Sequence, residues 1–199
     1  MKLTKKQLTV LQKIVGREQM RYNHDAFEQN RSTNKMQRAK IAGVHPCGER
    51  FGITDGVLAV LFDEKPDEFV DAERMDILDK YARGFIEDGD LYLVKEPISI
   101  EACKRAIAEW KDMKGIGKPT FPQIMLSTTN ENGECLVGYF NALLYLDALT
   151  AAGPYRNLYM GNSRTIKTPH PCLFVFKLDG KNGENNWGEP IFLMPCRPN

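Results

Sequence analysis

The chain has 199 residues, of which 42% are hydrophobic and 27% are charged, a balance typical of folded proteins and not of disordered ones. No stretch approaches the roughly 20 consecutive apolar residues that a membrane-spanning helix needs. The first residues lack the apolar core of a secretory signal. The five cysteines are widely spread and form no C-x-x-C pair, which indicates reduced thiols. We therefore predict a soluble, cytoplasmic protein with no membrane partner.

The formal net charge is +1, but the charges are unevenly placed. Residues 1–50 carry eleven Lys and Arg against four Asp and Glu, whereas residues 51–100 carry five against thirteen. A basic segment can bind a phosphate backbone even when the whole chain is nearly neutral. Taken alone, however, the two blocks favour ordinary solvated surfaces.

The first predicted element is an amphipathic helix. Thr4 and Gln7 have the spacing of a capping box. Its apolar stripe consists of Leu8, Leu11, Ile14 and Val15. Gly16 is the predicted end of this helix, because glycine commonly follows the last helical residue. The polar residues 17–35 then predict a long connection or a loose helical extension.

Three strands are predicted next, over residues 36–44, 49–54 and 57–62. An Asp-Gly pair, Asp55-Gly56, lies between the last two and is typical of a tight hairpin. The first 64 residues therefore have the order helix, strand, strand, strand.

The middle of the chain is predicted to be rich in helix. Residues 66–88 are acidic and have helical spacing of apolar residues, and a short strand is predicted over residues 91–94. Ser99 is the predicted N-cap of a further helix. The apolar stripe of that helix is Ile100, Cys103, Ile107 and Trp110.

The last third repeats the order of the first. After two strands predicted over residues 123–128 and 135–140, Asn141 is the expected N-cap of a helix over residues 142–152. Three more strands are predicted near residues 158–160, 173–178 and 191–194. The order helix, strand, strand, strand thus occurs a second time.

Three segments carry a resemblance to a known family. They are Ile53–Ala59 (ITDGVLA), Tyr139–Leu149 (YFNALLYLDAL) and Phe192–Arg197 (FLMPCR). In this order they resemble segments of the DNA sliding clamps, the family of the bacterial DNA polymerase III beta subunit. The resemblance covers about half of the chain.

The resemblance implies an α+β fold, a DNA-clamp-like domain of two β-α-β-β-β half-units. The half-units would be residues 1–64 and 121–199, and the acidic, helix-rich segment 65–120 would be an insertion, since a plain clamp domain has no place for it. The chain is too short for the three domains of a bacterial clamp subunit. Ring closure would therefore require a homo-oligomer.

The resemblance also implies a non-catalytic protein of DNA replication or of a mobile element, which binds double-stranded DNA or replication-type protein peptides. Clamp helices face the DNA and present cations to phosphates without base specificity. The residues expected to do so here are Lys5, Lys6, Lys13 and Arg17. The helix over residues 142–152 fits this role poorly, because it carries Asp147 and no Lys or Arg.

Sliding clamps bind partner peptides in an apolar groove beside their C-terminal strand. The resemblance places Met194, Pro195 and Arg197 at such a groove, although Cys196 stands where the family often has a larger apolar residue. The alternative is that the last strand contributes only core residues, namely Ile191, Leu193 and Met194.

The sequence also contains residues that could support other functions. A protein-interaction module that uses the acidic insertion and binds no DNA is the alternative function. The segments His45-Pro46-Cys47 and His170-Pro171-Cys172 could hold zinc or supply a Cys-His nucleophile. Their spacing favours instead two similar strand starts of a duplicated fold, and no oxyanion-type loop accompanies them. We therefore predict no metal, no cofactor and no enzymatic activity.

Overall fold

The computed structural model describes residues 3–28, 42–72, 78, 89–153, 156–163, 171–178 and 187–193. Within these residues the chain forms three α-helices and nine β-strands. The helices are α1 (Lys5–Glu28), α2 (Ile100–Asp112) and α3 (Ala142–Ala152). The strands are β1 (His45–Cys47), β2 (Arg50–Thr54), β3 (Leu58–Phe62), β4 (Gly89–Leu93), β5 (Gln123–Thr129), β6 (Cys135–Asn141), β7 (Arg156–Ser163), β8 (Cys172–Leu178) and β9 (Trp187–Leu193).

Seven strands form one sheet in the order β1-β2-β3-β9-β8-β7-β4, and β5 and β6 form a separate hairpin. All strand pairs are antiparallel. The order helix, strand, strand, strand occurs twice, as α1-β1-β2-β3 and as α3-β7-β8-β9. The last strands of these two units pair with each other, with Val60 opposite Ile191. The predicted α+β class is therefore confirmed.

The large sheet is covered on both faces. Successive residues of a strand point to opposite faces, and all five residues of β3 are buried. Leu58 and Val60 belong to the main core beneath the three helices, whereas Ala59 and Leu61 belong to a smaller cluster on the other face. Leu78, from the acidic segment, is buried in that second cluster. The helical layer thus lies on one face of the sheet, and Leu78, from the acidic residues 66–88, packs on the other face.

The segment predicted as an insertion is built into the fold. It supplies β4 at the edge of the large sheet and α2 in the helical layer, where α2 packs against α3. The helix predicted from residue 66 does not begin there, because residues 66–72 form a turn and a parallel bridge from Asp71 to Val44. Leu78 is helical, and residues 73–77 and 79–88 lie outside the described residues.

Local signals placed α2 and α3 correctly. The Ser99 side chain accepts a hydrogen bond from the Ala102 amide at 3.1 Å, and Asn141 accepts one from the Leu143 amide at 2.9 Å. Each cap satisfies a backbone donor that has no partner within its own helix. Gly153, at a φ of +82°, follows the last residue of α3 as predicted.

Two predicted boundaries near the N-terminus were wrong. Gly16 does not end α1, which continues to Glu28, since a glycine inside a helix is tolerated at a cost of about 1 kcal/mol. The strand predicted over residues 36–44 is wrong at residues 42 and 43. Ala42 and Gly43 form a bend and the strand is His45–Cys47, while residues 36–41 lie outside the described residues.

The β2–β3 hairpin exists, but its loop has three residues instead of two. Asp55 Oδ1 accepts hydrogen bonds from the amides of Val57 and Leu58, at 3.0 and 2.8 Å, which draws Val57 out of β3. Gly56 takes a φ of +81°, a conformation that favours glycine. The carboxylate of Asp55 is thereby fixed at the tip of the hairpin.

Candidate nucleic-acid interface

Helix α1 is anchored at its first turn by a capping box. The Thr4 amide donates to Gln7 Oε1 at 3.0 Å, and the Gln7 amide donates to Thr4 Oγ1 at 3.3 Å. Gln7 Nε2 also donates to the carbonyl of Ala151 at 3.0 Å, at the C-terminal end of α3. Lys13 and Arg17, which lie farther along α1, contact Asp147, which comes before Ala151 in α3. The two helices therefore run antiparallel.

The inward and outward faces of α1 differ sharply. Val10, Leu11 and Ile14 are buried in the main core. Lys5 and Lys6 are exposed in the first turn, which contains no acidic residue. Cations at a helix N-terminus oppose the helix dipole, so their placement there costs some stability and concentrates positive potential. Neither lysine has an ion-pair partner among the residues that the structure describes.

The other two predicted DNA contacts, Lys13 and Arg17, take part in an ion-pair network. Arg17 Nε donates to Asp55 Oδ2 at 2.6 Å, and Arg17 Nη1 donates to Asp147 Oδ2 at 3.0 Å. Lys13 Nζ lies 3.2 Å from Asp147 Oδ1. We call these four residues the Arg17 network; they join α1, α3 and the β2–β3 turn.

Burial differs across the Arg17 network. The side chain of Asp55 is 1% exposed and that of Asp147 is 11% exposed, whereas Arg17 is 26% and Lys13 is 57% exposed. Buried carboxylates require partners, and the guanidinium of Arg17 supplies one to each. Arg17 Nη2 is buried and has no hydrogen-bond partner among the described residues.

In the sequence, Asp147 suggested that α3 would present a negative charge to DNA, but the structure pairs this carboxylate with cations of α1. It lies against α1 and is paired with two cations, so it does not present an unpaired charge on the helical layer. Residues 3–17 contain four cations and no Asp or Glu. Because Asp55 and Asp147 accept hydrogen bonds inside the fold, they screen Lys5 and Lys6 only weakly.

A further set of cations was missed in the sequence. Lys104, Arg105 and Lys111 are exposed on α2, which lies beside α3 in the helical layer. They are hard to recognise in the sequence because acidic residues outnumber basic ones over residues 65–120 as a whole. The charge pattern itself contained the signal, since the basic residues of this segment concentrate after residue 103.

The predicted peptide groove cannot be placed. Met194, Pro195 and Arg197 lie outside the described residues, which end at Leu193. Ile191 and Leu193 are buried in the main core, as the alternative interpretation of the last strand expected.

Three of the four cysteines among the described residues are buried. Cys47 ends β1, Cys172 begins β8 and Cys103 lies in α2, all three of them buried, whereas Cys135 is exposed. Burial raises the pKa of the Cys103 thiol to about 11, and its Sγ lies 3.2 Å from the Ala142 carbonyl, to which it donates. Within the described part of the chain, no three His, Cys, Asp or Glu side chains come together as a metal site.

Comparisons with protein-family models, with curated proteins and with solved structures returned no match to this chain. No helix among the described residues is long and apolar enough to cross a membrane.

Proposed function

We propose that the chain is a non-catalytic scaffold, a relative of the DNA sliding clamps, that binds the backbone of double-stranded DNA through α1. The observation that supports this proposal is the Arg17 network. It pairs Asp55 and Asp147 inside the fold, and Lys5 and Lys6 remain exposed at the positive end of the helix. Phosphate is the anion that such a surface binds without reading base sequence.

The arrangement of the two units also supports the proposal. Two helices lie side by side on one face of a sheet that both units share, so both can approach one elongated ligand from the same side. The apolar outer surface of α3 adds no charge, and the phosphate contacts are therefore assigned to Lys5, Lys6 and Lys13. Arg17 supports them by holding Asp55 and Asp147.

The test is a titration of a fluorescein-labelled 20-bp duplex followed by anisotropy at several salt concentrations. For the double variant Lys5→Gln/Lys6→Gln, we expect the slope of log K against log salt to fall by about 1.8, since each lost phosphate contact removes about 0.9. The matched control is Lys95→Gln, which removes an exposed lysine between β4 and α2 and should leave the slope unchanged. Two duplexes of unrelated sequence should bind equally.

The proposal would be contradicted if the parent protein did not bind the duplex at low salt. It would also be contradicted if the double variant had the same slope of log K against log salt as the parent. Ring formation is tested separately by light scattering after size-exclusion chromatography, with and without DNA. A closed homo-oligomer supports encirclement of the duplex. A monomer that still binds DNA restricts the function to lateral backbone binding.

A second candidate, a protein-interaction module based on the acidic segment, has one observation in its favour. Val70 is 77% exposed between the exposed residues Asp67, Glu68 and Asp71, on the side of β1 away from β2. This candidate predicts no binding to either duplex at low salt, so the same titration separates it from the first.

A further inference from the structure

The loop after α2 presents apolar side chains to solvent. We use the name Trp110 loop for residues 111–119, which are the last two residues of α2 and the seven that follow it; they include Met113 and Ile116. Met113 is 51% exposed and Ile116 is wholly exposed. Single exposed apolar residues are common on protein surfaces, so the loop must be judged by how it is held and by what surrounds its tip.

The base of the Trp110 loop is closed by specific contacts. Trp110 Nε1 donates to the carbonyl of Pro119 at 2.8 Å, and Lys118 Nζ lies 4.5 Å from the centre of the Trp110 ring. Lys118 Nζ also donates to the carbonyl of Lys111 at 3.3 Å. Gly115 and Gly117, both at a φ of +98°, turn the chain at the tip. The fold therefore holds Ile116 outward on a closed loop.

Cations outnumber carboxylates in this loop. Lys111, Lys114 and Lys118 stand against one carboxylate, Asp112, whereas earlier on α2 the exposed Lys104 and Arg105 are matched by the exposed Glu101 and Glu109. A ligand that complements the loop must therefore be anionic and must offer a narrow apolar slot. The minor groove of double-stranded DNA has both properties, because apolar side chains can insert between its base steps while Lys or Arg contact the flanking phosphates.

We propose that the Trp110 loop is a second DNA-binding element, in which Ile116 inserts into the minor groove and Lys111 and Lys114 contact phosphates. The inference takes the class of ligand, double-stranded DNA, from the proposed function. It uses none of the residues of α1. An anionic membrane is the less suitable ligand. One wholly exposed aliphatic side chain with a few lysines is enough to unstack a base step but gives only marginal lipid binding.

The experiment measures DNA bending as well as affinity. A 20-bp duplex carries a donor and an acceptor dye at its ends, and binding by the parent protein should increase energy transfer, because intercalating side chains kink the duplex. For Ile116→Ser, we expect no increase in energy transfer and about tenfold weaker binding with an unchanged salt slope. For Lys114→Gln, the slope should fall by about 0.9.

The control is Met125→Ser, which removes a half-exposed apolar side chain (55%) from β5 outside the loop. It should bend and bind the duplex as the parent does. Trp110 fluorescence in a Trp187→Phe background gives a direct signal from the loop, because the chain contains only two tryptophans. DNA should change this signal in the parent protein and not in Ile116→Ser.

The outcomes separate the two proposals. If Ile116→Ser and Lys114→Gln bind and bend the duplex like the parent, while Lys5→Gln/Lys6→Gln is weakened, the loop inference is wrong and the function of α1 stands. If only the loop variants are weakened, the loop is the DNA contact and the role proposed for α1 is wrong. Ile116-dependent association with phosphatidylserine vesicles, without an effect on DNA, would replace the duplex by a lipid surface.

Discussion

Arg17 joins three parts of the fold through one side chain. Its guanidinium bridges Asp55 at the β2–β3 turn and Asp147 on α3, and Lys13 shares Asp147. Asp55 is also fixed by the amides of its own turn. The position of α1 on the sheet therefore depends on charge pairing in addition to apolar packing.

We expect Arg17→Met to lower the free energy of unfolding by about 2–4 kcal/mol, because it removes the guanidinium that pairs with the buried carboxylates of Asp55 and Asp147. Urea unfolding followed by circular dichroism measures the loss. Lys6→Met is the control, since it removes an exposed lysine of the same helix and should change stability by less than about 0.5 kcal/mol. Equal effects of the two substitutions would show that the Arg17 network contributes little to stability.

The buried thiol of Cys103 leads to a prediction about the stability of the protein at alkaline pH. Its pKa is raised from 9.0 to about 11 by burial, so folding favours the neutral thiol. A folded-state pKa above the unfolded value contributes stability that is complete below pH about 9 and is lost as pH rises toward about 11. We expect the decline of Tm over this range to be shallower in Cys103→Ala than in the parent.

Cys135→Ala is the matched control, because Cys135 is exposed and its removal should leave the decline unchanged. Burial also raises the pKa of Tyr145, so Cys103→Ala should retain part of the alkaline decline. A parent-like decline in Cys103→Ala would show that Cys103 does not titrate in this range.

Among the secondary-structure elements, the edge strand β4 depends on close contact with β7. A Cβ at Gly161 would lie 2.1 Å from the carbonyl oxygen of Asp90, a backbone atom that cannot move aside without shifting β4. We therefore expect Gly161→Ala to lower the free energy of unfolding by about 1–3 kcal/mol or more.

Gly16→Ala is the same chemical change with the opposite expectation. A Cβ at Gly16 meets no atom within 4 Å, and the position lies inside α1. Alanine there should raise the free energy of unfolding by about 0.5–1 kcal/mol. Thermal and urea unfolding of the two variants measure both effects, and destabilisation by Gly16→Ala would mean that α1 is not continuous across residue 16.

The elements that the sequence predicts well are those with local signals. Ser99 and Asn141 cap their helices through contacts within three residues, and Thr4 pairs with Gln7 in the same way. Gly16 does not end α1, and the next residue, Arg17, contacts residues 38 and 130 positions away. No local pattern reports such distant partners.

Only part of the candidate site could be predicted from the sequence, because the rest depends on contacts between distant residues. Four cations in the first part of α1, residues 5–17, could be found in the sequence, and Asp147 stood out there as an obstacle to DNA binding. Its pairing with Lys13 and Arg17 could not be foreseen, because it depends on the antiparallel packing of α1 and α3. The clamp-like architecture itself stays a prediction.

At the scale of the whole molecule, the two units are joined within the large sheet through a single strand pair, β3–β9. Strand β9 lies fourth of seven in the large sheet, between β3 of the first unit and β8 of its own. Val60 and Ile191, opposite each other in this pair, are both buried beneath the helices. Separation of the pair would expose the core of both units.

Native-state hydrogen exchange tests this dependence. We expect the amides of β3, β8 and β9 to exchange with the same free energy, equal to that of global unfolding, because β9 cannot leave without opening the core. The edge strand β4 should exchange at a lower free energy. Independent exchange of β3 and β9 would show that the two units unfold separately.

The central position of β9 also bears on how the protein is made. A ribosome delivers β1, β2 and β3 well before β7 and β8, yet none of these strands can complete the sheet until β9 emerges. During that interval the apolar residues of β3 have an unpaired neighbouring edge, the kind of edge at which nascent chains associate wrongly. The exposed charges of α1 and of the acidic segment then help to keep the unfinished chain in solution.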